Sequence, residues 1–151
     1  MKYSQRTILN NINLHFVINA FQDIRFVKYL TRVLPIRIVA WEGIQTGDIA
    51  YFKLWFFGWK DFKVEHNLVD LSSDFLCFID RGICLPFGLK FWEHKHIVRK
   101  LNNSIEIVDT MEIVHNNSFK GKFLFPFLIF PVMIRKVLYR LYFKSINNKN
   151  E

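Results

Sequence analysis

The chain is poor in the residue patterns that would name a chemistry at once. Among 151 residues it has two cysteines, six glycines and four prolines, and 13 acidic side chains stand against 21 lysines and arginines. Two cysteines are too few for a disulfide framework, and Cys77 and Cys84 read as reduced thiols serving as small core residues. The glycines form neither a phosphate-binding loop nor a dinucleotide fingerprint, so the common nucleotide-binding turns are excluded. No zinc-finger, helix-turn-helix or RNA-binding aromatic-glycine pattern is present. The start, Met1-Lys2-Tyr3-Ser4-Gln5-Arg6, has no apolar stretch behind its charge, so no signal peptide is evident and a cytoplasmic location is expected. The strongly apolar run Phe123 to Ile134 is twelve residues long and carries Pro126 and Pro131. A helix across a bilayer needs about 20 residues, so a transmembrane span is excluded and only shallow membrane contact stays open.

Aromatic side chains, by contrast, are abundant. Half of the sequence is hydrophobic, and 17 phenylalanines help bring the aromatic share to 17%. One domain of this length does not need so many rings for packing alone. The surplus implies an internal cavity or an exposed sticky surface, with the cavity favoured. The net charge of +8 is spread along the chain instead of concentrated in one segment. It reads as a solvated basic surface, and no nucleic-acid partner is expected.

Periodicity orders the chain as one domain, with an ordered core from about 7 to 146 and a frayed tail at 147–151. Thr7 to Ile18 reads as a first strand. Asn19 to Leu34 reads as a helix capped by Asn19 and stopped by Pro35. Strands follow at Ile36 to Gln45, Asp48 to Phe57, Lys60 to Leu71 and Phe75 to Asp80, with turns at Thr46-Gly47 and Ser72-Ser73. Arg81 to Gly88 reads as a loop. From Val132 to Ile146 the period becomes helical, with Ile134, Val137, Leu138, Leu141 and Tyr142 on one arc and Arg135, Lys136, Arg140 and Lys144 on the other. The segregated order means α+β. Its simplest packing lays the terminal helix across the concave face of a curved antiparallel sheet, which leaves a ligand-sized space between them.

The most informative segment is Trp92-Glu93-His94-Lys95-His96. Trp92, His94, His96 and Val98 alternate with charged and exposed positions, as on a strand. An Asn102-Asn103 turn pairs Leu101 with Ser104, and hence His96 with Asp109, His94 with Met111 and Trp92 with Ile113. Two histidines and a carboxylate then share one face with apolar neighbours.

The motifs Phe78-Ile79-Asp80, Trp92-x-His94-x-His96 and Asp109, with the order of elements, resemble the bacterial SRPBCC proteins over nearly the whole chain. That superfamily includes START lipid-transfer domains, birch-pollen-allergen-like proteins and polyketide cyclases. The chain departs from the pattern between Asp80 and Trp92, where it is longer, and after the last strand, where Ser118-Phe119-Lys120-Gly121 replaces a Pro-x-Gly segment. The resemblance implies a helix-grip fold, a curved sheet of about seven strands wrapped around a long C-terminal helix, with an interior hydrophobic cavity. It implies no single activity.

Three functions follow as expectations. The first is binding of a hydrophobic or amphipathic small molecule, lipid- or polyketide-like, with Trp92, His94, His96, Asp109, Met111, Ile113, His66, Leu138, Leu141 and Tyr142 as contacts. The second is a cyclase- or dehydratase-like enzyme in which His96 and Asp109 form an acid-base pair. The third is a lipid carrier that touches membranes through Phe123–Phe130. His94 and His96 could ligate a metal with His66 or Asp109, but no further Cys or Glu completes a recognised spacing. No metal or cofactor is therefore expected. Asp80 could be a pocket acid, but where a strand meets a glycine-containing loop capping of backbone N–H groups is the commoner role and the one expected. On the terminal helix Ile134, Leu138, Leu141 and Tyr142 are expected to face the sheet.

Overall fold

A computed structural model of the chain describes residues 1–147, so most of the expected tail lies outside the described residues. Its first strand, β1 (Lys2–Asn10), starts and ends earlier than the sequence suggests. Two asparagines explain where it ends. Asn11 adopts a positive φ of 55° and ends the strand, and the Asn13 side chain accepts a hydrogen bond from the His15 amide at 2.8 Å, starting helix α1 (Leu14–Phe21). Asn19 lies inside α1 and caps nothing there. The expected single helix is two, because Asp23 caps a second one, α2 (Ile24–Thr31), through the Arg25 amide at 2.8 Å. An Asx side chain that satisfies an orphan N–H can restart a helix after a break.

Six strands follow: β2 (Ile36–Trp41), β3 (Ile49–Trp55), β4 (Trp59–Leu71), β5 (Phe75–Cys84), β6 (Leu89–Leu101) and β7 (Ser104–His115). β5 runs past Asp80 to Cys84, so half of the expected loop is strand, paired as far as Lys63 opposite Cys84. All neighbours are antiparallel, in the order β1-β7-β6-β5-β4-β3-β2. Register shifts in three of the pairings, among them Lys63/Val64 and Leu89/Phe91, add local bends, and bulged strands curve. The β6–β7 register is the expected one: Leu101 opposes Ser104, His96 opposes Asp109, His94 opposes Met111 and Trp92 opposes Ile113.

The C-terminal helix starts well before Val132. Asn117 caps α3 (Ser118–Met133) through the Lys120 amide at 3.0 Å, and α4 (Arg135–Asn147) continues it after a bend at Ile134. Pro126 and Pro131 both lie within α3. Neither can donate to the carbonyl one turn back, which is the usual origin of a bent helix. No described helix is long and apolar enough to cross a membrane.

Two apolar clusters hold the helices on the sheet. Phe21, Phe26, Leu76, Ile107, Tyr139 and Phe143 pack α1, α2 and α4 against β5, β6 and β7. Leu89, Met111, Ile113, Ile129 and Val132 pack α3 on β6 and β7. Leu138 joins the first cluster, whereas Leu141 is 50% exposed. The inward face of α4 is therefore turned toward Leu138, Tyr139 and Phe143, and Leu141 does not face the sheet. Cys77 is buried, Cys84 is half-buried and both are free thiols.

Candidate functional site

A cavity of about 600 Å³ separates the sheet from α2 and α3. Most of its wall is aromatic or aliphatic: Phe21, Phe26 and Leu30 from the first helices, Phe52, Phe62, Val64 and Trp92 from the strands, and Leu124, Phe127 and Val132 from α3. Trp55, Phe56, Phe127 and Phe130 line it and are also solvent-exposed, which marks the mouth. Its polar lining comes from His66, Asp80, His94, His96 and Arg135, with Thr31 as a hydroxyl.

Strand alternation concentrates these groups. His94 and His96 are two apart on β6, Asp80 opposes His94 across β5, and His66 opposes Asp80 across β4. All five inward positions, with Asp109 on β7, fall on one sheet face. Asp109 is completely buried. Its Oδ1 accepts from His94 Nε2 at 3.1 Å and from the Tyr139 hydroxyl at 3.2 Å, and its Oδ2 accepts from Gln5 Nε2 at 3.2 Å. Gln5 Nε2 also donates to the Val132 carbonyl at 2.6 Å, tying β1 to α3. His96 Nε2 bonds to Asp80 Oδ2 at 3.1 Å. Its Nδ1 lies 3.1 Å from Asp109 Oδ1 but at an angle too poor for a hydrogen bond. The expected His96–Asp109 pair is thus a close charge contact, and the hydrogen bonds run from His94 to Asp109 and from His96 to Asp80.

Asp80 is not the backbone cap the sequence suggests. It reaches His96, and its Oδ1 lies 3.2 Å from His66 Nε2, while His66 Nδ1 lies 3.2 Å from the Asp48 carbonyl. Because a carbonyl only accepts, that Nδ1 carries the proton. The rings are also stacked: His96 lies on Phe78 with centroids 4.4 Å apart, and Trp92 meets His94 edge-on at 6.0 Å.

The cluster sorts its protons by burial and charge. Burial, then the neighbouring His96 charge, outweigh the hydrogen bond to Asp109 and push His94 down to about 4. Burial also opposes a charge on His96, but Asp80 and Asp109 overcome it and hold its pKa above the usual histidine value. Burial would raise the carboxyls. For Asp109 the His94 and His96 contacts win and hold it well below the carboxylate range, and for Asp80 the charge and hydrogen bond of His96, with His66, do the same. Burial and the Asp109 charge raise Tyr139 well above its ordinary value, so it stays a donor. The environment thus favours the charged form of His96, between two carboxylates, and the neutral form of His94. With Nε2–H turned to Asp109, His94 keeps Nδ1 as a lone-pair acceptor. Chemically that is a group able to orient a ligand hydroxyl or to take a proton from one.

Asp80, His94 and His96 each offer one ligand atom, and these atoms lie within 4.8 Å of one another. A cation there would compete with the His96–Asp80 bond. Of the expected contacts, Trp92, His94, His96, His66 and Met111 line the cavity. Asp109 sits behind His94; Ile113, Leu138 and Tyr142 belong to the packing outside the lining; and Leu141 is exposed and lies outside both the lining and the packed clusters. Sequence reasoning raises Asp80 as a pocket acid but prefers a capping role for it, and it misses Gln5 and Tyr139 as supports and Arg135, which the helical wheel places outward.

No family model matches the chain, and no curated protein sequence matches it. Solved structures do. Norcoclaurine synthase from Thalictrum flavum, a point mutant with a transition-state analogue, aligns with 16% identity over 100% of this chain and 98% of that one, at a TM-score of 0.66. The di-domain ARO/CYC StfQ of the steffimycin biosynthetic pathway aligns with 8% identity over 97% of this chain and 52% of that one, at 0.69. Ara h 8.0201 aligns with 11% identity over 96% and 98%, at 0.55. The chain has the helix-grip fold. These neighbours are members of the superfamily its motifs resemble. In this helix-grip chain the bent α3–α4 unit closes the grip, and the polar cluster forms part of the cavity wall.

Proposed function

We propose that this protein binds a hydrophobic or amphipathic small molecule in the cavity between the sheet and the C-terminal helix. The carrying observation is a cavity of about 600 Å³ whose wall is mostly aromatic and aliphatic, with its polar groups gathered in one patch. Pockets of this kind bind by burying apolar ligand surface, at roughly 25 cal/mol per Å² before entropic costs, and use a few polar groups for orientation. His94, through its acceptor nitrogen, is the orienting group, and Asp109 fixes its ring. The lining carries no cysteine or serine that could act as a nucleophile, which supports binding over covalent catalysis. The test is titration with the neutral dye N-phenyl-1-naphthylamine. Saturable one-to-one enhancement is expected, and Ala50→Phe, at a buried wall position, should weaken it. Absence of saturable binding, or binding indifferent to Ala50→Phe, contradicts the reading.

One surface feature supports a second reading, exchange of the ligand at an anionic bilayer. Phe119, Phe123, Phe127 and Phe130 form a stripe along α3, and Phe119 is 83% and Phe123 70% exposed. Lys120 and Lys122 flank the stripe, and Phe127 and Phe130 also line the cavity. An apolar face beside lysines suits a surface of acidic lipid. Co-sedimentation with phosphatidylserine-containing vesicles is expected for the native chain and not for Phe123→Asp. Equal pelleting of the two proteins, or none of either, removes this reading.

A further inference from the structure

We propose that the ligand carries a carboxylate, or an anion of like two-oxygen geometry, and that Arg135 receives it. This rests on the binding reading above and narrows it. Arg135 is the first residue of α4, directly after the bend at Ile134, and it lines the cavity. It stands where the apolar wall meets the polar cluster: burial opposes its charge, and Tyr139, Asp109 and Asp80 offset that opposition. A buried guanidinium with no carboxylate in contact still leaves N–H donors unpaired, which is costly.

The two carboxylates of the site do not supply that counter-charge at contact distance. Asp109 is engaged by His94, Tyr139 and Gln5, and Asp80 Oδ2 by His96, while Asp80 Oδ1 lies 3.2 Å from His66 Nε2. Among the described residues, no carboxylate oxygen lies within 4.0 Å of the Arg135 guanidinium. Its polar neighbour is the Tyr139 hydroxyl one turn further on, which already donates to Asp109. A guanidinium has five N–H donors in a plane that matches a carboxylate edge to edge. One hydroxyl cannot saturate it.

The rest of the cavity agrees with an anion at this point and nowhere else on the wall. His96 is committed to two carboxylates, and the open nitrogen of neutral His94 accepts instead of donating. Arg135 is therefore the cation of the lining that stays open to an anionic group, while Phe52, Phe62, Trp92 and Phe127 offer an apolar bed for the remainder of the molecule. The class implied is an alkanoic or arylalkanoic acid, one charged end on an apolar body.

Displacement of N-phenyl-1-naphthylamine at pH 7.5 by dodecanoic acid and by dodecan-1-ol, each below its micelle concentration, compares equal tails with and without the charge. The acid is expected to displace the dye at roughly 10- to 100-fold lower concentration, the usual gain from charge-assisted bidentate hydrogen bonds. Arg135→Met, with its fold checked by circular dichroism, should bring the two constants together by weakening the acid and leaving the alcohol nearly unchanged. Arg135→Lys should retain part of the preference. Equal affinity of the wild-type protein for acid and alcohol, or a preference that survives in Arg135→Met, overturns the inference and leaves the cavity reading standing. Failure of the wild-type protein to bind the dye overturns both.

Discussion

Lowering the pH from 6.5 to 4 should cost the fold about 3 kcal/mol through His94 alone. A histidine in the unfolded chain titrates near 6.5, and in the buried cluster His94 is pushed down to about 4. Between these values the unfolded state binds a proton that the folded state refuses, so stability rises with pH across the window. Each unit of difference is worth about 1.4 kcal/mol, which gives about 3 kcal/mol for the whole window. Asp80 and Asp109 act in the same sense but below the window, because their unfolded values lie near the ordinary carboxylate range and their folded values lie under it. His96 acts oppositely. Its folded value is raised, so its stabilisation is complete below about 6.5 and is lost as the pH rises through the folded value. Stability should therefore peak near pH 6 to 7. The assay is urea unfolding followed by tryptophan fluorescence at half-unit steps from pH 4 to 8, on the native chain and on His94→Gln. Glutamine can still donate to Asp109, but it cannot titrate. The native slope between pH 6.5 and 4 should exceed that of the variant by about 3 kcal/mol in total. Parallel profiles for the two proteins would refute this account of the cluster.

Other consequences follow from the same geometry. Asp109→Ala removes the acceptor shared by His94, Tyr139 and Gln5. It should destabilise by about 3–5 kcal/mol, as when one partner of a buried pair is lost, and thermal melting will read it. Asp109→Asn keeps one acceptor oxygen and should cost less. Asp23→Ala removes the cap of α2 and should cost about 1 kcal/mol, measured by chemical denaturation, with dye affinity unchanged because the cap lies away from the cavity lining.

The sheet was legible in the sequence where alternation was uninterrupted and a turn fixed the register. Asn102 and Asn103 aligned the β6–β7 hairpin, and with it His94, His96 and Asp109, since a one-residue slip would have turned every one of them outward. The helices were harder to read. Asn10, Asn11 and Asn13 weaken the first strand, yet the positive φ of Asn11 and the capping by Asn13 depend on backbone geometry that spacing does not encode. The glycine-containing segment after Asp80 reads as a loop and gives Asp80 a capping role, but strand β5 continues to Cys84 and places its carboxylate inside. Arg135 was lost for a related reason. A helical wheel built from Val132 onward treats the arc as continuous, whereas the bend at Ile134 separates α3 from α4 and α4 turns Leu138, Tyr139 and Phe143 inward. Position next to a bend, not periodicity, brings the guanidinium to the cavity.

The central claim is that the helix-grip interior is a receptacle for one apolar molecule. Native mass spectrometry of the purified chain with a few equivalents of dodecanoic acid tests it most directly. The account expects a one-to-one complex that is released on denaturation and is diminished in Ala50→Phe. A spectrum showing only the bare chain, or several acids bound in proportion to concentration and equally to Ala50→Phe, would contradict it.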